Sequence, residues 1–96
     1  MTTIKEASAQ PEELSFELRT EYIDLLQLLK ATGLCATGGE AKLWVELGAI
    51  TVDGEPESRK RRKLRNGNTV LVTPVNLEEY PVPMPHARIV VCAVQD

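Results

Sequence analysis

The sequence has few of the residues on which metal sites, disulfide frameworks and nucleophilic catalysis depend. Its 96 residues include two cysteines and one histidine. His86 follows a proline-rich segment and has no Cys or His neighbour at the spacing of metal ligands. We interpret it as a loop residue and predict no zinc site, cofactor or catalytic nucleophile. Cys35 and Cys92 lie in apolar contexts, and we expect two buried free thiols, with a single disulfide as the alternative.

Long apolar runs and an overall positive charge are also missing. No run approaches the roughly 18 residues that a membrane-spanning helix needs. Residues 1–13 are polar and lack the apolar centre of a secretory signal. We therefore expect a cytoplasmic protein with a mobile tail at 1–13 and one small domain at 14–96. The net charge of −3 argues against a protein that coats nucleic acid in any orientation.

Against this acidic background, one short stretch concentrates the positive charge. Six of the eleven basic residues lie within seven positions; these six, hereafter the basic stretch, are Arg59, Lys60, Arg61, Arg62, Lys63 and Arg65. Such a concentration is typical of an electrostatic binding site for a polyanion. The alternative is a solvated charged strand or loop. If the stretch is extended, alternate side chains face opposite ways, so Arg59, Arg61 and Lys63 share one face and Lys60 and Arg62 share the other.

The first half of the chain is predicted to form a strand and two helices. Alternation of apolar and polar residues over 14–19 favours a short half-buried strand. A helix over about 21–31 is predicted from an i, i+3, i+4, i+7 pattern and a glycine stop; the residues of this pattern are Tyr22, Leu25, Leu26, Leu29 and Gly33.

A second helix is predicted over about 38–47. Thr37 and Glu40 have the spacing of a capping box, in which the Glu40 carboxylate would bond back to the Thr37 amide. The predicted core stripe of this helix is Ala41, Trp44 and Val45. Leu43 and Leu47 form a second apolar pair, for which the later proline-rich segment is the expected cover.

The second half predicts a small sheet. A strand at 49–52 leads to Asp53-Gly54, a strong signal for a tight hairpin. After the basic stretch, Asn66-Gly67 predicts a turn and residues 69–72 a strand. Five of the six prolines fall in 74–86, so an extended loop is expected there, followed by a final strand at 87–94.

The order of these elements and several short segments resemble the S4-type RNA-binding domain. The segments are Ile23-Asp24-Leu25-Leu26, Gly33-Leu34, Thr37-Gly38-Gly39-Glu40-Ala41-Lys42, Gly48-Ala49-Ile50-Thr51-Val52-Asp53-Gly54 and Lys63-Leu64-Arg65-Asn66-Gly67-Asn68-Thr69-Val70. The resemblance runs over a core at 22–72. Within the family, the chain looks most like the small stand-alone bacterial subgroup, the YbcJ-like S4 proteins.

This resemblance implies an α+β fold in which two antiparallel helices pack on a small, mostly antiparallel β-sheet, the S4-like αL motif. It also implies binding of structured RNA, often ribosomal RNA. Carried over by position, the candidate RNA-binding residues are Thr37, Gly38, Gly39, Lys42, Arg59, Lys60, Arg61, Arg62, Lys63 and Arg65. The alternative for Thr37, Gly38 and Gly39 is plain helix capping, since a negative Glu40 opposes a phosphate there.

Two departures from the family pattern bear on the site. Tyr22 stands where many S4-type domains have an arginine, and Gly38 stands where they have a second one. The positive charge is therefore expected on the basic stretch rather than on the helix face. None of the four aromatic residues lies within the basic stretch, which favours recognition of RNA shape and backbone over bases. Tyr22 and Trp44 are both interpreted as core residues.

The sequence thus predicts a monomeric, non-enzymatic protein that binds structured RNA, with the ribosome as one context for it. The alternative is a protein-interaction adaptor that docks an acidic partner on the same stretch, with Leu43, Leu47 and residues 81–85 as its apolar contact. DNA binding is less favoured because no helix face carries several base-reading side chains. Charge reversal at Arg61 and Arg62 is the test that the sequence alone suggests. It is expected to abolish RNA retention and to leave thermal melting unchanged.

Overall fold

The computed structural model describes residues 11–75 and 85–94. In these residues the chain forms seven strands and two helices. In chain order they are β1 (Glu12–Leu18), β2 (Ile23–Asp24), α1 (Leu25–Ala31), α2 (Gly38–Glu46), β3 (Ile50–Val52), β4 (Glu55–Pro56), β5 (Lys63–Leu64), β6 (Thr69–Val72) and β7 (Ala87–Ala93).

Five of the strands form one sheet in the order β1-β7-β6-β3-β4. The pairing of β1 with β7 is parallel, and the other three pairings are antiparallel. The remaining strands, β2 and β5, form a separate antiparallel ribbon. The α+β class and the mostly antiparallel sheet are therefore confirmed.

Side-chain alternation along the strands gives the five-stranded sheet one buried face. One row across it joins Leu14, Ile89, Val70 and Val52, each paired with the next in register. The last three are at most 3% exposed, whereas the intervening Val90 faces outward and is 37% exposed. This pattern is expected of strands with one face on a core.

The two helices close the other side of that core. Leu25, Leu28 and Leu29 of α1 are fully buried, and Ala41, Trp44 and Val45 of α2 are buried as predicted. Both helices end at a glycine in the left-handed region, Gly33 with φ of 82° and Gly48 with φ of 78°, which is the predicted stop in each case.

The first helix begins later than its apolar period predicts. Asp24, not a residue near 21, is the N-cap: its carboxylate accepts a hydrogen bond of 2.9 Å from the Gln27 N–H. Ile23 and Asp24 pair with Leu64 and Lys63, so Tyr22 lies outside the helix and is not a core residue. The prediction of a 21–31 helix with Tyr22 on its buried face was wrong on these two points.

The Asp53-Gly54 hairpin is confirmed and shows why those residues are needed. Asp53 has φ of 52° and Gly54 φ of 86°, so both central positions of the turn are left-handed. This is the conformation of a type I′ turn, whose twist matches the flanking strands β3 and β4. Asp53 also accepts hydrogen bonds from Asn68 and from the Thr69 N–H, which ties the hairpin to β6.

The ends of the domain differ somewhat from the predicted bounds. β1 begins at Glu12, so the predicted tail at 1–13 overlaps the strand because residues 12 and 13 pair with β7; residues 1–10 lie outside the described residues. β7 ends at Ala93, one residue before the predicted end. Most of the predicted loop at 74–86 also lies outside, so the proposed cover for the half-buried Leu43 and Leu47 does too.

The two cysteines and the histidine occupy structural positions. Both cysteines are free; Cys35 is buried as predicted, while Cys92 is only half-buried. Burial raises the pKa of the Cys35 thiol to about 12, so it stays protonated. His86 precedes β7 as a loop residue, and its carbonyl accepts from the Glu12 N–H at 2.8 Å.

Candidate functional site

The basic stretch is folded as a turn followed by a short strand. The Arg62 N–H donates to the Arg59 carbonyl at 3.2 Å, which closes the turn, and Lys63 and Leu64 then form β5. Leu64 is fully buried and anchors the stretch to the core. The predicted alternation of faces along an extended segment is wrong, because the turn brings Arg59, Arg61, Arg62 and Lys63 around a single depression.

A buried carboxylate, Glu57, organises this turn. Glu57 accepts hydrogen bonds from the Arg59 backbone N–H at 2.9 Å and from Arg59 Nε at 3.0 Å. Its other oxygen accepts from a second nitrogen of Arg59 at 3.1 Å and from Arg62 at 2.6 Å. The hydrogen bond from the Arg59 side chain, followed by further contacts with Arg59 and Arg62, lowers the Glu57 pKa to about 2.

Sequence reasoning assigned Glu57 to the segment that resembles the S4 subgroup but gave it no role in the site. The available signal is its place two residues before the first arginine, where an acid can turn back onto the cations that follow it. Its side chain is only 6% exposed, whereas those of Arg59 and Arg62 are 70% and 29% exposed. A charge buried to this extent needs partners, and the two arginines supply them. Glu57 therefore fixes the turn while leaving much of the Arg59 side chain in solvent.

The protein's own carboxylates offset part of the positive charge. Besides Glu57, Lys60 contacts Glu46 at 3.3 Å and Arg65 contacts Glu21 at 3.9 Å. Both of these pairs are solvent-exposed, so each is weak and easily exchanged for another anion. Among the described residues, three carboxylates pair with four of the six cations, which leaves the stretch with a surplus of three positive charges over these partners.

Arg61 and Lys63 are the two members of the stretch that have no carboxylate partner within the described ranges. Both are exposed. They line, with Arg59 and Arg62, an open depression of about 460 Å³. Four cationic side chains around one concave surface give it a positive potential.

A second depression, of about 230 Å³, joins this surface to the helices. Its lining includes Arg61 of the basic stretch, Gly38 at the start of α2, and Lys30 at the end of α1. Asp24, Leu26 and Gln27 complete it. The structure therefore brings the basic stretch next to the N-terminus of α2.

Lys42 lies on the same face of α2. Gly38, Lys42 and Glu46 follow one another at intervals of four residues, so they form one stripe along the helix. Gly38 borders a depression with Arg61, and Glu46 contacts Lys60. The exposed Lys42 lies between these two contacts, on the face that α2 turns toward the basic stretch.

The start of α2 is capped by its own side chains. Thr37 Oγ1 accepts from the Glu40 N–H at 3.1 Å, as predicted. The Glu40 carboxylate, however, accepts from the Ala36 N–H at 2.9 Å, not from Thr37. The reciprocal half of the predicted capping box was therefore misplaced by one residue. The side chains of Thr37 and Glu40 both take part in capping. The Gly38 and Gly39 amides belong to the first turn of the helix.

An aromatic residue lies beside the basic stretch, contrary to prediction. The Lys63 ammonium is 4.8 Å from the centre of the Tyr22 ring, and the Arg65 guanidinium carbon is 5.5 Å from it. Tyr22 is 39% exposed. The sequence contained one signal of this location. Tyr22 stands where many S4-type domains have an arginine, and an arginine at that position would be exposed. Trp44, by contrast, is 1% exposed and belongs to the core as predicted.

Metal-binding clusters and membrane-spanning helices are both absent from the part of the chain that the structure describes. No group of three or more His, Cys, Asp and Glu side chains there could hold a metal ion. No described helix has the length and apolar character needed to cross a bilayer.

The α+β fold is that of an S4 domain. The sequence model of the S4 domain family matches residues 16–80, and the chain belongs to this family. A relative from Escherichia coli (strain K12), named "Putative RNA-binding protein YbcJ", is 41% identical over 49 residues, which cover 51% of this chain and 70% of the relative. The "Uncharacterized protein YbcJ" of Shigella flexneri matches with the same identity and coverage. These two relatives agree with the subgroup suggested by the sequence.

Proposed function

We propose that this protein binds structured RNA through the basic stretch and the adjoining face of α2. The observation that carries the proposal is the depression lined by Arg59, Arg61, Arg62 and Lys63. Backbone phosphates supply the negative charges that such a surface requires, and they are the main source of affinity in protein–nucleic acid complexes. Membership of the S4 domain family and the printed name of the Escherichia coli relative support the same ligand.

The arrangement of charge favours a folded RNA with a defined docking orientation. The chain as a whole carries −3, so surfaces away from the basic stretch repel a polyanion. The Glu57 contacts hold Arg59 and Arg62 in place before RNA arrives, which lowers the entropy lost on binding. A ribosomal RNA segment is the first ligand to test, in line with the family.

The margin of the proposed interface is the stripe of α2 that begins at Gly38. Gly38 and Lys42 lie on this stripe, and Gly39 is next to it in the first turn. Lys42 adds a charge, and the two glycines allow a phosphate to approach the backbone closely. Thr37 serves as the cap that sets the helix start. We propose no catalytic role or cofactor for any of these residues, and we propose that the protein acts as a monomer in the cytoplasm.

The direct test removes the two cations that have no carboxylate partner among the described residues. A variant with Arg61→Ala and Lys63→Ala is expected to bind a ribosomal RNA hairpin at least about tenfold more weakly, since two phosphate contacts are lost. Its thermal melting should be unchanged because both side chains are exposed. Affinity is measured by fluorescence anisotropy. Arg62 is kept, because its reversal would set a carboxylate against the buried Glu57.

A matched control and an alternative ligand sharpen this test. The double variant Arg19→Ala and Arg88→Ala removes the same charge from residues outside the basic stretch and should bind RNA nearly as well as the wild type. An acidic peptide serves as the competing ligand. Equal RNA affinity of the wild type and the Arg61/Lys63 variant, or preferential binding of the peptide, would favour the adaptor function instead.

A further inference from the structure

Tyr22 comes directly before β2, at one end of the β2–β5 ribbon. In this ribbon Ile23 pairs with Leu64 and Asp24 with Lys63, so the next step of the same register sets Tyr22 opposite Arg65. Ile23 and Leu64 point toward the core. Because side chains alternate along a strand, Tyr22, Lys63 and Arg65 are directed to the opposite, solvent side.

Two cations therefore lie close to the ring, and Tyr22 is still accessible to solvent. Lys63 and Arg65 both lie within cation–π distance, at 4.8 Å and 5.5 Å. Tyr22 is 39% exposed, which leaves part of the ring open to solvent. Lysine and arginine side chains are long and flexible, so each can exchange its contact with the ring for a contact with a phosphate.

The geometry points to a nucleobase site at Tyr22: an unpaired base of the bound RNA stacks on the ring while Lys63 and Arg65 contact the phosphates flanking it. This inference rests on the proposed RNA binding and adds the class of RNA, a helical segment with a bulged or looped-out base. Aromatic rings on exposed strands, next to basic side chains, recognise unpaired bases in this way. Such a site would supply base contacts in addition to recognition of shape.

A structural role for the ring predicts a different outcome. If Tyr22 only positions Lys63 and Arg65, its loss should lower the affinity for every RNA that contacts those cations, whether or not the RNA has an unpaired base. If the ring is a stacking surface, its loss should lower the affinity only for an RNA that presents an unpaired base.

The experiment compares two blunt-ended RNA duplexes that differ by one unpaired adenine. One is fully paired, and the other carries a single bulged position occupied by a fluorescent adenine analogue. The proteins are the wild type, Tyr22→Ala and Tyr22→Phe. Tyr22 is partly exposed and lies outside the core, so all three are expected to fold, which circular dichroism and thermal melting check.

For the bulged RNA, Tyr22→Ala is expected to bind about fivefold to a hundredfold more weakly than the wild type, the range for one lost base–aromatic stack. Tyr22→Ala should bind the fully paired RNA nearly as well as the wild type does. Tyr22→Phe keeps the ring and should retain affinity. The wild type and Tyr22→Phe should quench the adenine analogue, and Tyr22→Ala should not.

Two results would contradict the inference and still be consistent with the proposed function. The first is an equal loss of affinity for both RNAs in Tyr22→Ala, and the second is binding of the bulged RNA by the wild type without quenching. Failure of the wild type to bind either duplex would instead contradict RNA binding itself.

Discussion

Glu57 shows how one buried residue can control a surface made of other residues. Its carboxylate accepts from Arg59 and Arg62, whose side chains extend to the surface of the depression. A charge at 6% exposure is stable only with such partners. The cationic surface therefore depends on an acidic residue. A simple sum of charges would count Glu57 only as a loss of positive charge.

We predict that Glu57→Gln destabilises the protein by about 1–3 kcal/mol at neutral pH, because two arginines lose a charged acceptor. The pKa of Glu57 is about 2 in the folded protein against an ordinary value of 4.5. The carboxylate therefore stabilises the folded state fully above about pH 5, and this contribution is lost as the pH falls toward 2. Denaturant unfolding of both proteins at neutral pH and near pH 3 measures the difference.

Glu55→Gln provides the control for this prediction. Glu55 is exposed in β4, so its substitution should change the free energy of unfolding by no more than about 0.5 kcal/mol at either pH. A Glu57→Gln variant with the same stability as Glu55→Gln at neutral pH would show that the Glu57 contacts do not hold the turn.

At the scale of elements, local patterns were sufficient for most of the fold. The glycine stops at Gly33 and Gly48 and the Asp53-Gly54 turn depend on backbone conformations that few other residues adopt, so their sequence signals were reliable. The core stripe of α2 was also predictable, since it follows from helical periodicity alone.

The failures occurred where a distant segment determines the local structure. Tyr22 fits the apolar period of α1, but pairing of Ile23 with Leu64, far along the chain, leaves it directly before β2 and outside the helix. Likewise, the turn at 59–62 contains no glycine, proline or asparagine to mark it. It forms because Glu57 is buried and binds Arg59 and Arg62. Both errors affected the site more than the fold, because they hid Tyr22 and the shared depression.

The stripe of α2 gives a prediction at this scale. Lys42→Gln should weaken RNA binding and lower the dependence of log affinity on log salt by about 0.7 to 0.9, the share of one phosphate contact. Glutamine is as good a helix former as lysine, so α2 should be unaffected. Lys42→Arg keeps the charge and should behave like the wild type. If Lys42→Gln and Lys42→Arg bind RNA with the same salt dependence, α2 is not part of the interface.

At the scale of the whole molecule, charge of one sign is gathered in one place. The chain carries −3, yet its basic stretch is positive by three charges after its carboxylate partners in residues 11–75 and 85–94 are counted. A surface of this kind attracts a polyanion in one orientation and repels it in others. The S4 fold provides the frame, since β5 anchors the stretch through Leu64 and α2 lies beside it.

The most direct test of the central claim is the salt dependence of RNA binding by the wild type and the variant with Arg61→Ala and Lys63→Ala. Each phosphate contact contributes about 0.7 to 0.9 to the slope of log affinity against log salt concentration. We predict that the variant's slope is smaller in magnitude by about 1.4 to 1.8. Identical slopes for the two proteins would contradict the claim, because they would mean that these two cations do not contact RNA phosphates.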